Sequence, residues 1–306
     1  MRKLACYVIV GGLTLIGYAA VAARRLVVED VVVPVPGAPE LDGLRVLHIS
    51  DTHVSHEGDW VLEMVRSLSD IDVDLIAVTG DVISSVEGLP PAAAAIGSLR
   101  SGLGTYVVPG NHDHWIGRHL NRVSGEIGGF VSPRLYAREF AQHGVDVLVN
   151  DSVTIVSENG EANLVGLDDP FLGLGDAESA YSGLDDDRPN IVLGHSPDGA
   201  ELINDRRCDL YLCGHTHGGQ ILGPAGLPPQ QTNTAYPLPA TFGLMVHRGV
   251  LTHVSAGLGT AVIPLRLNCP PRATVLILRN IEADGRNTEQ GRHNHEDSSQ
   301  TSDPDE

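Results

Sequence analysis

At 306 residues the chain fits one large domain or two small ones. Its hydrophobic content of 42%, with only four Phe and two Trp, describes a core built mostly from Val, Leu, Ile and Ala. A net charge of −19 argues against nucleic acid as a partner, because phosphate backbones recruit clustered Lys and Arg; a phosphorylated substrate remains open, since bound cations can supply positive charge locally.

Residues 4–23 carry no charged side chain, with Arg2 and Lys3 before them and Arg24 and Arg25 after. About 20 apolar residues span a hydrocarbon core of ~30 Å, and Gly11, Gly12 and Gly17 are tolerated in such helices. Segment 1–25 is therefore expected to be a membrane anchor. A cleaved signal peptide is the alternative, with Ala20-Val21-Ala22 as its small-x-small site. A buried core helix fits poorly because every face is apolar. The amino terminus, Arg2 and Lys3 outweigh Arg24 and Arg25, so the charge balance leans towards a single pass through the cell membrane with the folded domain outside. Cys6 falls in this segment; Cys208, Cys213 and Cys269 remain, with no CxxC pair and no disulfide framework.

Segment 26–43 is expected to be a linker and entry segment, since Val31–Pro39 carries Pro34, Pro36 and Pro39. From Leu44 the pattern becomes strand, Gly- or Asp-bearing loop, helix. Strands are expected at Arg45–Ile49, Leu75–Thr79 and Thr105–Val108, with helices at Trp60–Ser69, from its Val61/Met64/Val65/Leu68 face, and at Pro90–Leu99. The second half is richer in strands: Val145–Leu148, Val153–Val156, Ala162–Val165, Asn190–Leu193, Asp209–Leu212, Leu251–Ser255 and Thr274–Leu278. Two packed sheets with helices outside follow from that order, in a domain spanning 44–280. Residues 281–306 carry eight acidic and two basic residues without apolar periodicity, which predicts a disordered acidic tail.

Five short clusters of metal-ligand residues punctuate this domain: Asp51-Thr52-His53, Gly80-Asp81, Gly110-Asn111-His112-Asp113, Gly194-His195 and Gly214-His215-Thr216-His217-Gly218-Gly219-Gln220. Most follow an apolar run, which places them at strand ends. Carboxylate, amide oxygen and imidazole together suit Mn²⁺, Fe²⁺ or Zn²⁺. Side chains at i and i+2, as in Asp51/His53 and His215/His217, converge only in an irregular loop, and the glycines permit close backbone approach. An isolated Asp-x-His is usually a solvated loop, and Gly-Asp is usually a turn. The ordered set of five is not an accident of composition.

That order resembles the calcineurin-like metallophosphoesterase superfamily. The GHTHGGQ ending, Gly257-Leu258-Gly259-Thr260 and the N-terminal segment resemble its bacterial membrane-associated branch. The resemblance implies an α/β fold, a four-layer α-β-β-α sandwich, with Asp51, His53 and His217 on one divalent metal ion, Asn111, His195 and His215 on a second, and Asp81 bridging them. It implies hydrolysis of a phosphate ester, diester or pyrophosphate by a metal-bridging hydroxide. Lipid-linked and envelope phosphates are within reach of a membrane protein. His112 is the expected catalytic residue at the leaving group, with Asp113 orienting its imidazole or serving as an ordinary helix N-terminal Asp.

The remaining histidines receive plainer readings. His48 and His253 are expected in strands as satisfied core groups. His56, His114, His119 and His143 are expected at or near the surface, with His56 and His114 close enough to the ligand loops to reach substrate. Asp168-Asp169 is a turn or faces the site, and the Pro- and Gly-rich stretch 223–243 is the candidate substrate rim. A non-catalytic scaffold on the same fold would be expected to have lost ligands. A metal amidohydrolase fails on order, because its His-x-His comes first and not last.

Overall fold

The computed structural model describes residues 2–114, 131–223, 226, 234–235 and 240–281. His119, the tail from 282 and most of the stretch 223–243 lie outside the described residues. Two six-stranded sheets face each other. The first runs β1 (Val27–Pro34), β12 (Arg272–Arg279), β2 (Arg45–Ile49), β3 (Leu75–Thr79), β4 (Thr105–Val108), β5 (Asp146–Val147). The second runs β10 (Gly243–His247), β11 (Val250–Val254), β9 (Leu210–Cys213), β8 (Asn190–Leu193), β7 (Gly160–Gly166), β6 (Asp151–Ser157).

Side chains alternate across a strand, and the core follows that period of two. Leu47, Ile76, Val78 and Val107 face outward onto helices Val61–Arg66, Leu89–Gly97 and Pro133–Ala141. Their neighbours Val46, Leu75, Ala77 and Val108 face inward, against Leu164, Ile191, Leu193, Leu210 and Leu212 of the second sheet. Val165, Val192, Tyr211 and Cys213 pack on Ala177, Ala180, Ala200 and Ile203 of two short outer helices. Three apolar seams thus separate helices, sheet, sheet and helices.

The segment expected to be a linker is a strand. β1 pairs in parallel with β12 from Val27 to Pro34. It sits at the sheet edge, where one side of the ladder is free, so Pro34 is tolerated and the burial pattern is too weak to read in sequence. Further elements were not expected, among them β10, which emerges from the Pro- and Gly-rich stretch, and helix Pro133–Ala141, which places Tyr136 and Phe140 one turn apart in the outer seam.

His48 and His253 meet between the sheets, as core groups. Their Nδ1 atoms are 2.8 Å apart, and His48 Nε2 lies 2.8 Å from Thr79 Oγ1. Burial holds His253 down at about 4 and lowers His48 as well, with His253 adding to the effect on His48. In the unfolded chain a histidine titrates near ~6.5. Between those values the unfolded state binds more protons than the folded one, so stability present above pH ~6.5 is lost as pH falls towards about 4. For His253 the loss is about 3 kcal/mol. Urea unfolding of wild type and His253→Asn across that window checks this: the variant should show the shallower pH slope, and parallel curves would contradict it.

Candidate metal centre

All five clusters occupy loops that leave the carboxyl ends of parallel strands, the edge of an open sheet where ligands usually bind. The ladder runs past the strands: Asp51 N donates to Gly80 O at 3.0 Å, His53 N to Asp81 O at 3.0 Å and Gly214 N to His195 O at 2.8 Å. Asp51, His53, Asp81, His215 and His217 all have φ between 49° and 69°. The left-handed region is costly for such residues, so this backbone is held by its surroundings and turns i and i+2 side chains to one point. Gly110 makes the approach possible, because a Cβ there would lie 2.4 Å from both Asp81 N and Asp81 Oδ1. At Gly214 a Cβ would lie 1.9 Å from Ser50 Oγ.

The ligand atoms form two groups that share one residue. Asp51, His53, Asp81 and His217 offer atoms within 4.8 Å of one another, and so do Asp81, His195 and His215. Asp81 Oδ2 lies 3.5 Å from His53 Nε2 in the first group and 3.2 Å from His195 Nε2 in the second. Asp81 Oδ1 is occupied by His112 N, which donates to it at 2.8 Å. Asn111 has its Oδ1 buried without a hydrogen-bond partner, which is what a carbonyl oxygen reserved for a cation looks like.

The imidazoles are presented as ligands. His195 Nδ1 is 2.8 Å from Thr79 O, which fixes the proton on that nitrogen and leaves the Nε2 lone pair for the site. His53 Nδ1 contacts Ser84 Oγ at 3.1 Å, and His53 Nε2 is 3.0 Å from His217 Nε2. Burial lowers His53 to about 3 and lowers His217, keeping both neutral as metal ligation requires. Burial would also lower His195, but the adjacent Asp81 carboxylate overrides it and raises that histidine. Burial, reinforced by Asp81 though opposed by His195, raises Asp51 to about 6. Two buried carboxylates this close are stabilised by positive charge between them. The donor set fits divalent cations.

Asp113 lies in the first turn of helix Asn111–His114, and its carboxylate also reaches beyond that helix. Its Oδ1 accepts from Val82 N at 2.9 Å and Ile83 N at 3.0 Å, and its Oδ2 from Gly110 N at 2.8 Å. The carboxylate therefore ties the loop after β3 to the loop after β4 and positions Asp81 against Asn111. His112 lies in the site, its ring centroid 4.8 Å from that of His53. His114 reaches Asp168 Oδ1 at 2.6 Å, which draws the Asp168-Asp169 turn against the Asn111 loop. That turn carries Phe171, whose ring lies 4.6 Å from His215. His56 accepts from Gly58 N in a local turn.

Sequence reasoning missed Arg266. It is fully buried, and its guanidinium donates to the carbonyls of Gly259, Ala256, Gly257, His217 and Cys269, with no carboxylate partner among the described residues. It joins the His217 loop to the 256–259 turn, where Leu258 N and Gly259 N donate to Ser50 O and Asp51 O. A lone cation within Ile263-Pro264-Leu265-Arg266-Leu267 was the available signal.

Comparison with known proteins gives the geometry a context. Residues 44–219 match the model of the family described as calcineurin-like phosphoesterase. The chain is 31% identical over 238 residues to the Escherichia coli phosphodiesterase YaeI, covering 76% of this chain and 82% of that protein. It is 30% identical over 273 residues to the Bos taurus transmembrane protein with metallophosphoesterase domain, covering 84% of this chain and 58% of that one. It is 29% identical over 218 residues to the Chlamydia trachomatis UDP-2,3-diacylglucosamine pyrophosphatase LpxG, covering 60% of this chain and 66% of that protein.

Proposed function

Because the chain belongs to the calcineurin-like phosphoesterase family and is thus a hydrolase of phosphoester bonds, we propose that it is a membrane-anchored enzyme using two divalent cations. The observation that carries the reading is Asp81, whose single Oδ2 faces a histidine of each ligand group. One cation would be held by Asp51, His53, His217 and Asp81 and the other by Asp81, Asn111, His195 and His215, with Mn, Fe or Zn suited to these donors. Such a pair supplies a water ionised near neutral pH and neutralises charge on phosphoryl oxygens.

The chain's own groups do the rest. The Thr79 carbonyl holds His195 in its ligating tautomer, and Asp113 keeps Asn111 in register with Asp81. His112, whose amide is pinned on Asp81, is placed to give a proton to the leaving oxygen. The substrate is a phosphodiester or pyrophosphate, lipid-linked in keeping with the name of the chlamydial relative.

The anchor rests on the N-terminal helix, Arg2–Ala22. Tyr7, Ile9, Val10, Leu13, Leu15, Ile16, Tyr18 and Val21 are all exposed. At about 100° per residue they cover the whole circumference. A protein groove covers one stripe of a helix, whereas lipid covers every side. Among the described residues no helix is long and apolar enough to cross a membrane.

Turnover of bis-p-nitrophenyl phosphate by Mn²⁺-loaded protein tests the reading, and its absence on every phosphate ester tried would overturn it. His112→Ala should keep both metals while kcat falls ~10²–10⁴-fold. An unchanged kcat would remove His112 from the chemistry.

A further inference from the structure

We propose that the loop Ala261–Leu265 dips into the lipid beside the N-terminal helix and sets the mouth of the metal site at headgroup level, so that the substrate is a phosphoester presented at the membrane surface. This rests on the anchored phosphoesterase reading above. The first observation is where the helix ends. Ala19 and Ala23 are buried against the domain, and Ala19 O accepts from Arg266 N at 3.1 Å. The last turn is therefore docked on protein, and residues 4–18 are what remains to enter lipid. At a 1.5 Å rise they reach about 22 Å, short of a ~30 Å hydrocarbon core. The deficit closes when the docking surface itself enters the interface.

That surface is built for it. Val262 is 87% exposed and Ile263 is 44% exposed, and they precede Pro264 in the loop that leads to Arg266. Val262 has φ of 64°, a genuine outlier for a β-branched residue, so the fold spends strain to hold an apolar side chain outward. Arg24 and Arg25 follow the helix directly, and the Arg24 guanidinium sits 6.0 Å from the centre of the Trp60 ring. Arginine beside tryptophan suits the anionic, amphipathic headgroup zone.

The same loop is fixed to the metal ligands. Ala261 N donates to Gln220 Oε1 at 2.8 Å, and Gln220 Nε2 donates to the carbonyls of Ala261 and Ile263 at 3.0 Å each. Gly259 N donates to Asp51 O at 2.7 Å, and Arg266 reaches His217 O. One short segment thus joins the helix base, the apolar tip and the Asp51 and His217 loops. The site cannot lie far from the lipid.

The test uses the full chain in phosphatidylcholine–phosphatidylglycerol vesicles. A nitrobenzoxadiazole label on Val262→Cys, corrected for label on the unsubstituted protein, should be quenched by spin-labelled lipid, and a label at exposed Ser182→Cys should not. Val262→Asn should keep wild-type turnover of bis-p-nitrophenyl phosphate, because Asn tolerates the left-handed backbone. Its turnover of a long-chain alkyl p-nitrophenyl phosphodiester in the same vesicles should fall at least about five-fold, which corresponds to about 1 kcal/mol of lost apolar burial. An unquenched label at 262, or equal turnover of the vesicle-borne ester, overturns the proposal even if the soluble ester is hydrolysed. Failure on the soluble ester would instead count against the phosphoesterase reading, with the quenching still deciding the position of the loop.

Discussion

Replacing Asp81 with Asn is expected to release at least one cation and to lower kcat by more than about 10³-fold, beyond the ~10²–10³ typical of losing one electrostatic contact. The geometry leaves the amide no acceptable orientation. One carboxylate oxygen accepts from His112 N at 2.8 Å, while the other faces His53 Nε2 at 3.5 Å and His195 Nε2 at 3.2 Å. If the amide keeps its oxygen towards His112, its NH₂ points at both ligand groups and no lone pair remains to bridge. If it flips, NH₂ opposes the His112 N–H. Metal analysis of the purified variant beside its kcat decides the matter. Two bound metals with normal turnover would end the bridging role.

What could be read in sequence follows from which interactions are local. Strands β2, β3, β4 and β8 stand where the residues predicted them, because a buried parallel strand is an apolar run that stops at a Gly or a polar residue. The ligands sit within a few residues of those ends, so the five clusters stand out in the chain, and the resemblance to the calcineurin-like superfamily singles out Asp51, His53, Asp81, Asn111, His195, His215 and His217 within them. The structure brings six of them into two groups and leaves Asn111 Oδ1 unpartnered beside Asp81's loop. Long-range roles were not readable. Asp113 reads in sequence as a partner for His112 or as a helix N-terminal Asp; besides its local bond from Gly110 N it accepts from Val82 N and Ile83 N, backbone that no local pattern ties to it. The edge strand β1 ends in a proline and has little burial, so nothing local separates it from a linker.

Arg266 is the extreme case of such a role, and Arg266→Met should show it. The substitution keeps an apolar stem but withdraws every donor from five backbone carbonyls. An orphaned buried acceptor costs ~1–3 kcal/mol. Relaxation and entering water offset part of that sum, which leaves a loss on the order of 3 kcal/mol. The same change loosens His217 and the 256–259 turn that backs Asp51, so cation affinity should fall although no ligand has been touched. Arg266→Lys separates charge from shape. Its ammonium keeps the positive charge near Asp51 but has three donors on one point, too few to span carbonyls on separate segments. Urea unfolding with and without Mn²⁺ should therefore rank wild type above Lys and Lys above Met. The Mn²⁺-dependent increment should shrink in the same order. If Arg266→Met unfolds within about 0.5 kcal/mol of wild type, as a neutral surface change does, and binds cations equally well, the guanidinium is not what holds the two loops together.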